Sequence, residues 1–91
     1  MARKLTFEQV TDSRMDENPK ELLEERVKQL EERLDIDGVT CTRTPIRFLD
    51  WKDGTYQYRC CFEVVKETRK LTWDDIYDII NSIHATYYKL V

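Results

Sequence analysis

Glycine and proline are scarce in this sequence, which contains two of each among its 91 residues. Phosphate-binding loops, dinucleotide fingerprints and nucleophile elbows each need glycines at fixed spacings, because the backbone must turn sharply or approach a ligand closely. No such motif occurs in the sequence. The scarcity of glycine argues against the enzyme classes that rely on these loops, so we expect no catalytic residues, no cofactor and no enzyme activity.

Cysteine and histidine are also few, and their positions suit neither a disulfide framework nor a zinc site. The cysteines are Cys41, Cys60 and Cys61, and His84 is the single histidine. Neighbours in a strand point to opposite faces, so Cys60 and Cys61 do not easily share a partner. No Cys-x-x-Cys spacing occurs. We expect three reduced thiols, no bound metal and His84 at the packing edge of a helix, and we leave open whether Cys61 is reactive.

Long apolar runs are absent as well. No stretch approaches the roughly 20 residues needed to cross a membrane, and the first five residues, Met-Ala-Arg-Lys-Leu, lack the apolar core of a signal peptide. Together with reduced cysteines, this predicts a cytoplasmic protein with no membrane partner. A chain of this length has room for a single domain, residues 1–91, which is too small to contain a deep substrate cleft.

The first amphipathic helix is predicted after residue 18. Asn18 is a favourable N-cap, Pro19 suits the first helical position, and Glu21 completes a capping-box-like start. Gly38 marks the end of the segment. The apolar stripe of this helix recurs at spacings of four, three and four and consists of Leu23, Val27, Leu30 and Leu34.

A second helix is predicted from Thr72, with Asp75 three residues later as a near capping box. The aspartates of its first turns, Asp74, Asp75 and Asp78, suit the positive end of the helix dipole. Its apolar residues continue almost to the end of the chain, and the predicted buried face consists of Ile76, Ile79, Ile80, Ile83, Tyr87 and Leu90.

Between the helices, β-branched and aromatic residues predict a β-hairpin of strands 39–49 and 55–66, joined at Asp53-Gly54. Pro45 cannot donate to a sheet ladder, so the first strand should be an edge or carry a bulge there. Residues 3–10 alternate weakly, which leaves a third, N-terminal strand open.

The hairpin turn allows two registers. A two-residue turn pairs Lys52 with Thr55, whereas a three-residue loop with Gly54 in the left-handed conformation pairs Trp51 with Thr55. We prefer the second register because only it places the apolar residues of both strands on one face. The hairpin residues that then project from the face left uncovered by the helices are Arg47, Leu49, Trp51, Gln57 and Arg59.

These elements predict an α+β fold in the order β-α-β-β-α, with two helices packed on one face of a small antiparallel sheet. Without the N-terminal strand the order would be α-β-β-α. Two strands alone are marginal in water, so either that strand or a second chain must complete the sheet. We therefore expect a homodimer.

Charge is unevenly distributed along the chain, because a basic segment over residues 38–71 lies between acidic segments. Basic residues near an aromatic side chain can bind a phosphate backbone and stack a base. One hypothesis is therefore a small nucleic-acid-binding protein that uses the hairpin. Its contact residues would be Arg47, Arg59, Lys66, Arg69 and Lys70, although ordinary solvated residues explain the same pattern.

The alternative that we prefer is a non-enzymatic protein-binding module, whose partner the sequence does not identify. A dense acidic helix can imitate a phosphate backbone and mask a nucleic-acid-binding surface on another protein, as small inhibitors from viruses and mobile elements do. A solvated helix face is the simpler explanation of the same charges. The residues proposed to contact the partner are Glu24, Glu25, Glu31, Glu32, Leu49 and Trp51.

Overall fold

The structure is a computed structural model that describes residues 4–83 and the backbone of residues 87–90. It confirms an α+β fold in which two helices lie on one face of an antiparallel sheet. In chain order the elements are β1 (Lys4–Asp12), α1 (Pro19–Arg33), β2 (Val39–Arg43), β3 (Arg47–Asp50), β4 (Tyr56–Lys66), α2 (Trp73–Asn81) and β5 (Tyr87–Leu90).

The N-terminal strand is present, and it lies inside the sheet rather than at its edge. The sheet has five strands in the order β2-β4-β1-β5, with β3 paired to β4 beyond the end of β2. All nine residues of β1 pair with β4, from Lys4 opposite Val65 to Asp12 opposite Gln57. The chain therefore completes its own sheet, and folding does not require strands from a second copy.

The hairpin adopts the preferred register. The backbone N–H of Trp51 donates to the carbonyl of Thr55 at 2.9 Å, and Asp50 lies opposite Tyr56. Gly54 has a φ of +86°, which a residue with a Cβ adopts only at a cost. The three-residue loop therefore sets which side chains of β3 and β4 share a face.

A break at Pro45 divides the first predicted hairpin strand into β2 and β3. Arg43 lies opposite Phe62, whereas Arg47 lies opposite Arg59, so four steps along one strand match three along the other. This is the one-residue shift expected of a bulge, and the missing N–H of Pro45 explains why pairing is interrupted there.

Helix α1 begins at Pro19, as predicted, but its first turn is stabilised differently. The side chain of Asn18 makes no capping hydrogen bond with the described residues, so the predicted capping box is wrong. The helix start is attached to the sheet instead, because the buried Thr11 hydroxyl donates to the carbonyl of Pro19 at 2.7 Å. The start of α1 is thus held by a hydrogen bond from Thr11 of β1 and not by a capping bond from the neighbouring Asn18.

Helix α2 has the predicted capping box at its start. The N–H of Asp75 donates to Oγ1 of Thr72 at 3.2 Å, and the N–H of Thr72 donates to Oδ2 of Asp75 at 2.8 Å. The N–H and the hydroxyl of Thr72 both donate to Oδ2 of Asp75, and because these two bonds are stronger when the carboxyl is ionised, they lower the pKa of Asp75 below its usual value.

The predicted extent of the second helix is wrong, because α2 ends at Asn81 and residues Tyr87–Leu90 form β5 instead. β5 pairs with residues Leu5–Glu8 of β1. Tyrosine favours strands, and pairing satisfies the backbone groups of β1 that an extended helix would have left without partners. A nearby unpaired strand therefore outweighed the helical spacing of the apolar residues.

The core lies between the sheet and the helices, and its central contact joins the two middle strands. Phe7 and Phe62 are opposite each other, with stacked rings whose centroids are 5.0 Å apart. The helices cover this pair with the predicted apolar residues. The buried helix-side residues are Leu23, Val27, Leu30, Leu34, Ile76, Ile80 and Ile83.

Replacement of Ile83 by aspartate tests this packing. Ile83 is 2% exposed, and Ile83→Asp would place a carboxylate in an apolar environment. We expect the free energy of unfolding to fall by about 3 kcal/mol or more, which is enough to unfold a domain of this size. Urea denaturation followed by circular dichroism measures the change. The control is Asn81→Asp, which adds the same charge at an exposed position, and wild-type stability of Ile83→Asp would contradict the packing described.

Candidate functional site

Three aromatic side chains of the β3–β4 hairpin, Phe48, Tyr56 and Tyr58, contact one another through their rings, and the exposed Trp51 directly follows β3. We call Phe48, Trp51, Tyr56 and Tyr58 the aromatic surface. The ring centroid of Phe48 lies 5.7 Å from that of Tyr56 and 5.2 Å from that of Tyr58, and the two tyrosine centroids are 6.0 Å apart. Phe48 is 55% exposed and Trp51 is 44% exposed. Apolar rings exposed side by side in this way are typical of a contact surface.

The position of β3 explains why this surface is uncovered. The hairpin register places Phe48 opposite Tyr58, on the side of the sheet that carries the helices. Helix α1, however, packs over β1 and β4, and β3 lies on the far side of β4. Phe48 is therefore on the side of the sheet predicted from the sequence, but beyond the reach of the helices.

A groove of about 170 Å³ separates the aromatic surface from the start of α1. Tyr56 and Tyr58 line one side, and the chain from Glu17 to Glu21 lines the other. The charged residues of the groove are Glu17, Glu21 and Lys20, so its lining is acidic by one charge and lies beside two half-buried tyrosines. Such a groove suits a ligand that presents both an apolar group and a positive charge.

The loop between β1 and α1 is attached firmly to this end of the sheet. The Ser13 N–H donates to the carbonyl of Tyr56, and the Tyr56 N–H donates to Oγ of Ser13, both at 2.9 Å. The loop presents Met15, which is 86% exposed. The two bonds hold the backbone of Tyr56 in place, so the aromatic surface stands on a constrained strand.

The carboxylate of Asp12 anchors the same loop. Its Oδ1 accepts from the backbone N–H and Nε of Arg14, and its Oδ2 accepts from Nη2 of Arg14 at 2.9 Å and from Nε2 of Gln57 at 2.7 Å. The hydrogen bonds from Arg14 and Gln57 hold the pKa of Asp12 well below its usual range. Asp12 thus stays ionised and joins the loop to β4.

The face of the sheet opposite the helices, which we call the open face, carries the predicted residues Arg47, Leu49, Gln57 and Arg59. Arg59 donates to Oε1 of Gln57 at 3.1 and 2.9 Å and lies 3.9 Å from Glu8. Arg47 is exposed, whereas Leu49 is half-buried. The open face is therefore a polar network with only a local basic pair, Arg47 opposite Arg59.

The remaining basic residues of the nucleic-acid hypothesis lie elsewhere. Lys66 is at the opposite end of β4, where its Nζ donates to the carbonyl of Thr68 at 2.8 Å and lies 5.6 Å from the ring centroid of Trp73. Arg69 and Lys70 follow in the exposed loop before α2. The fold does not bring these three residues together with Arg47 and Arg59.

The acidic residues of the protein-binding hypothesis occupy the exposed side of α1. Glu31 forms an ion pair with Arg43, and Glu25 accepts from Nε2 of Gln29 at 3.2 Å. Glu24 and Glu32 are exposed. Only the start of α1 adjoins the aromatic surface, so the predicted acidic residues and Trp51 do not form one compact site.

The cysteines are free thiols in environments that disfavour the thiolate. Burial raises the pKa of Cys41 to about 11. Burial and the nearby Glu8, whose Oε1 lies 3.2 Å from the Cys61 sulfur, raise the pKa of Cys61. Cys61 is therefore a poor nucleophile near neutral pH. Within the described part of the chain, no group of three or more potential metal ligands occurs, and His84 lies outside that part.

Sequence reasoning had identified Trp51 but not Phe48, Tyr56 or Tyr58 as site residues. The available signal was the alternation of Tyr56 and Tyr58 beside a predicted turn, a pattern that is equally typical of a buried strand. How much of the helix-side face is covered depends on how far the helices extend along the sheet.

No protein-family model and no curated protein matches the sequence. No helix among the described residues is long and apolar enough to span a membrane.

Acid titration tests the role of Asp12. Its pKa is lower in the folded than in the unfolded chain, so its stabilising effect is present above the unfolded value of about 3.9 and is lost as the pH falls below it. We expect Asp12→Asn to be less stable than wild type at neutral pH and to lose less stability between about pH 5 and pH 3. Urea midpoints at several pH values measure this.

Arg14→Gln removes the main cause of the lowered pKa and should give an intermediate pH dependence. The stability of Asp12→Asn and of Arg14→Gln must still depend on pH to some extent, because the pKa values of Asp53 and Asp75 are also lowered by hydrogen bonds. If the urea midpoint of Asp12→Asn fell with decreasing pH as steeply as that of wild type, the role assigned to Asp12 would be contradicted.

Proposed function

We propose that this domain is a non-enzymatic protein-binding module and that the aromatic surface is its main contact site. The observation that supports this most strongly is the exposure of Phe48 and Trp51, 55% and 44%, on a hairpin whose backbone is held by its own hydrogen bonds. Aromatic residues are enriched among the few interface residues that contribute most to binding.

The surface is also suited to binding because little of it must be ordered when a partner arrives. Phe48, Tyr56 and Tyr58 already contact one another, and Ser13 fixes the backbone of Tyr56. Immobilising side chains on binding costs free energy, and contacts formed in advance reduce this cost. A preorganised aromatic surface thus favours specific association over nonspecific adhesion.

The chemistry of the proposed partner follows from the groove beside the aromatic surface. Glu17 and Glu21 line this groove, and Glu24 and Glu25 continue the acidic surface along α1. A segment with an apolar anchor flanked by lysine or arginine would match both features. Nucleic-acid-binding proteins present many such basic segments. One version of the proposal therefore includes α1: the domain is a small inhibitor, of the kind that viruses and mobile elements use, and its acidic helix masks the nucleic-acid-binding surface of the partner.

Selection from a phage-displayed random peptide library tests the proposal without knowledge of the natural partner. We expect the wild-type protein to enrich peptides that combine aromatic or aliphatic residues with lysine or arginine. Fluorescence anisotropy with the synthesised peptides should show binding at least about tenfold weaker in the variant Phe48→Ser, equivalent to about 1.4 kcal/mol. Equal affinity of the variant and wild type would contradict the proposal.

Leu49→Ser provides a matched control, because Leu49 is on the same hairpin but on the open face. Its affinity should equal that of wild type, and the reverse pattern would move the contact site to the open face. Charge reversal of Glu24, Glu25, Glu31 and Glu32 to lysine tests the acidic helix separately. Unchanged affinity in that variant would rule out the version that includes α1.

A second candidate function is nucleic-acid binding by the open face, favoured by one observation. Arg47 and Arg59 lie directly opposite each other there, and Arg47 is exposed. Against this, Arg59 already donates to Gln57 and lies near Glu8, and the other basic residues are elsewhere. The local positive charge is therefore small, and affinity for a phosphate backbone would be weak and strongly dependent on salt.

Anisotropy with labelled single- and double-stranded DNA and RNA separates the two functions. Under the protein-binding proposal we expect no binding at physiological salt. Micromolar binding that weakens as salt rises, and that is lost in Arg47→Glu/Arg59→Glu but kept in Glu24→Lys/Glu25→Lys, would instead support nucleic-acid binding.

A further inference from the structure

The strand β2 lies at an edge of the sheet, at the end away from the aromatic surface. Among the described strands its one neighbour is β4, and Val39 at its start lies opposite Lys66. Its other side thus presents backbone groups that a further strand can pair with. Edge strands of this kind are templates for pairing with another chain unless charge, proline or a covering element protects them.

The hydrogen bonds that flank β2 define which of its backbone groups point outward. The carbonyl of Gly38 accepts from the N–H of Glu67 at 2.8 Å, and the N–H of Thr44 donates to the carbonyl of Cys61 at 2.9 Å. The register is uniform between these two bonds. The direction of backbone hydrogen bonding alternates along an antiparallel strand, so the N–H and carbonyl groups of the even-numbered residues of β2 point to β4. The N–H and carbonyl groups of Cys41 and Arg43 and the carbonyl of Val39 therefore point outward, while the N–H of Val39 donates to Ile36.

The outward edge has little protection. The strand Val-Thr-Cys-Thr-Arg contains no proline and no lysine, and its single charge is at the last residue. Thr40 and Thr42 are exposed on the open face, and Val39 and Cys41 are half-buried on the helix side. Threonine and valine are favourable strand residues, so the edge is also suited to pairing by composition.

A groove of about 370 Å³ lies along this edge, between β2 and the last turns of α1. Its lining carries opposite charges, because Asp35 lies at the end of the groove near Val39, and Arg43 lies at the other end, paired with Glu31. The groove thus has one carboxylate, Asp35, besides the Arg43–Glu31 ion pair. Under a two-fold rotation, Asp35 of one copy approaches the Arg43–Glu31 pair of the other.

We propose that two copies of this chain associate by antiparallel pairing of their β2 strands, with the two-fold axis passing through Cys41. In this register Cys41 lies opposite Cys41 of the second copy, Thr40 opposite Thr42, and Val39 opposite Arg43. All five residues of each strand are paired. A shift by one residue would pair helix-side residues with open-face residues, whereas this register keeps both helix layers on one side of a continuous sheet.

The proposed register gives partners to all of the outward backbone groups of β2 except the carbonyl of Arg43, because the N–H of Val39 already donates to Ile36. Cys41 exchanges both of its hydrogen bonds with its counterpart, and the N–H of Arg43 donates to the carbonyl of Val39 in the second copy. Asp35 of the second copy then lies near the Arg43–Glu31 ion pair, so that Arg43 can bridge the two carboxylates. Thr40 and Thr42 form cross-strand pairs on the open face, which are favourable in antiparallel sheets. The aromatic surface stays free, so this inference does not depend on the proposed function.

Amide hydrogen exchange measured by NMR, together with sedimentation, tests the pairing directly. We expect the sedimenting species to change from monomer to dimer as protein concentration rises. Over the same range, the amides of Cys41 and Arg43 should lose their fast exchange. The amide of Thr42, which points to β4, serves as an internal control and should be protected at every concentration.

Proline variants locate the interface independently. Cys41→Pro removes an outward N–H without removing a bond to β4, so it should abolish dimerisation while circular dichroism stays that of the folded protein. Asp50→Pro is the matched control, because Trp51 directs its N–H toward β4 and Asp50 therefore directs its own outward from β3, which continues the same edge of the sheet beyond β2. It should leave the dimer intact.

Three results would overturn the proposal. The first is a protein that stays monomeric at millimolar concentration. The second is a dimer in which the amides of Cys41 and Arg43 still exchange fast. The third is a dimer lost in Asp50→Pro but kept in Cys41→Pro, which would place the interface on β3. If Cys41→Pro fails to fold, the exchange measurement on the wild-type protein still decides.

Discussion

The pairing of β1 with β4 is the interaction on which the rest of this structure depends. Each other strand is attached to one of these two, α1 packs over them, and the buried residues of α2 join the same core. The stacked rings of Phe7 and Phe62 lie within this pairing and face the helices. β1 and β4 are distant in sequence, so the pairing forms only when the chain closes a loop of more than forty residues, at an entropic cost that burial of the core must offset.

This central pair also sets which surfaces remain available. Two short helices cover β1 and β4, and they are too few to cover strands on both sides. One uncovered region is the β3–β4 hairpin, where aromatic rings are exposed. Another is β2, where backbone groups are exposed at the edge. The two proposed interactions thus use different ends of the sheet and different chemistry: side-chain burial at one end and backbone pairing at the other.

The distribution of charge is consistent with this division. Ion pairs and hydrogen bonds on the open face engage Arg59, Gln57 and Asp12 with one another or with close neighbours, so much of the basic character read from the sequence is neutralised locally. The acidic character of α1 is less neutralised, since Glu24 and Glu32 are exposed. This distribution favours the proposed basic partner segment over the alternative proposal of a phosphate backbone.

The sequence by itself determined the features that depend on neighbouring residues. These are the buried stripe of α1, the capping box at Thr72, the left-handed Gly54 in its three-residue loop and the interruption at Pro45. Only the tertiary structure decided the features that depend on distant residues. Tyr87–Leu90 became a strand because β1 had unpaired backbone groups, and Phe48 became a surface residue because no helix reaches β3. Local conformational preference is encoded over a few residues, whereas covering or pairing a residue depends on elements brought together by folding.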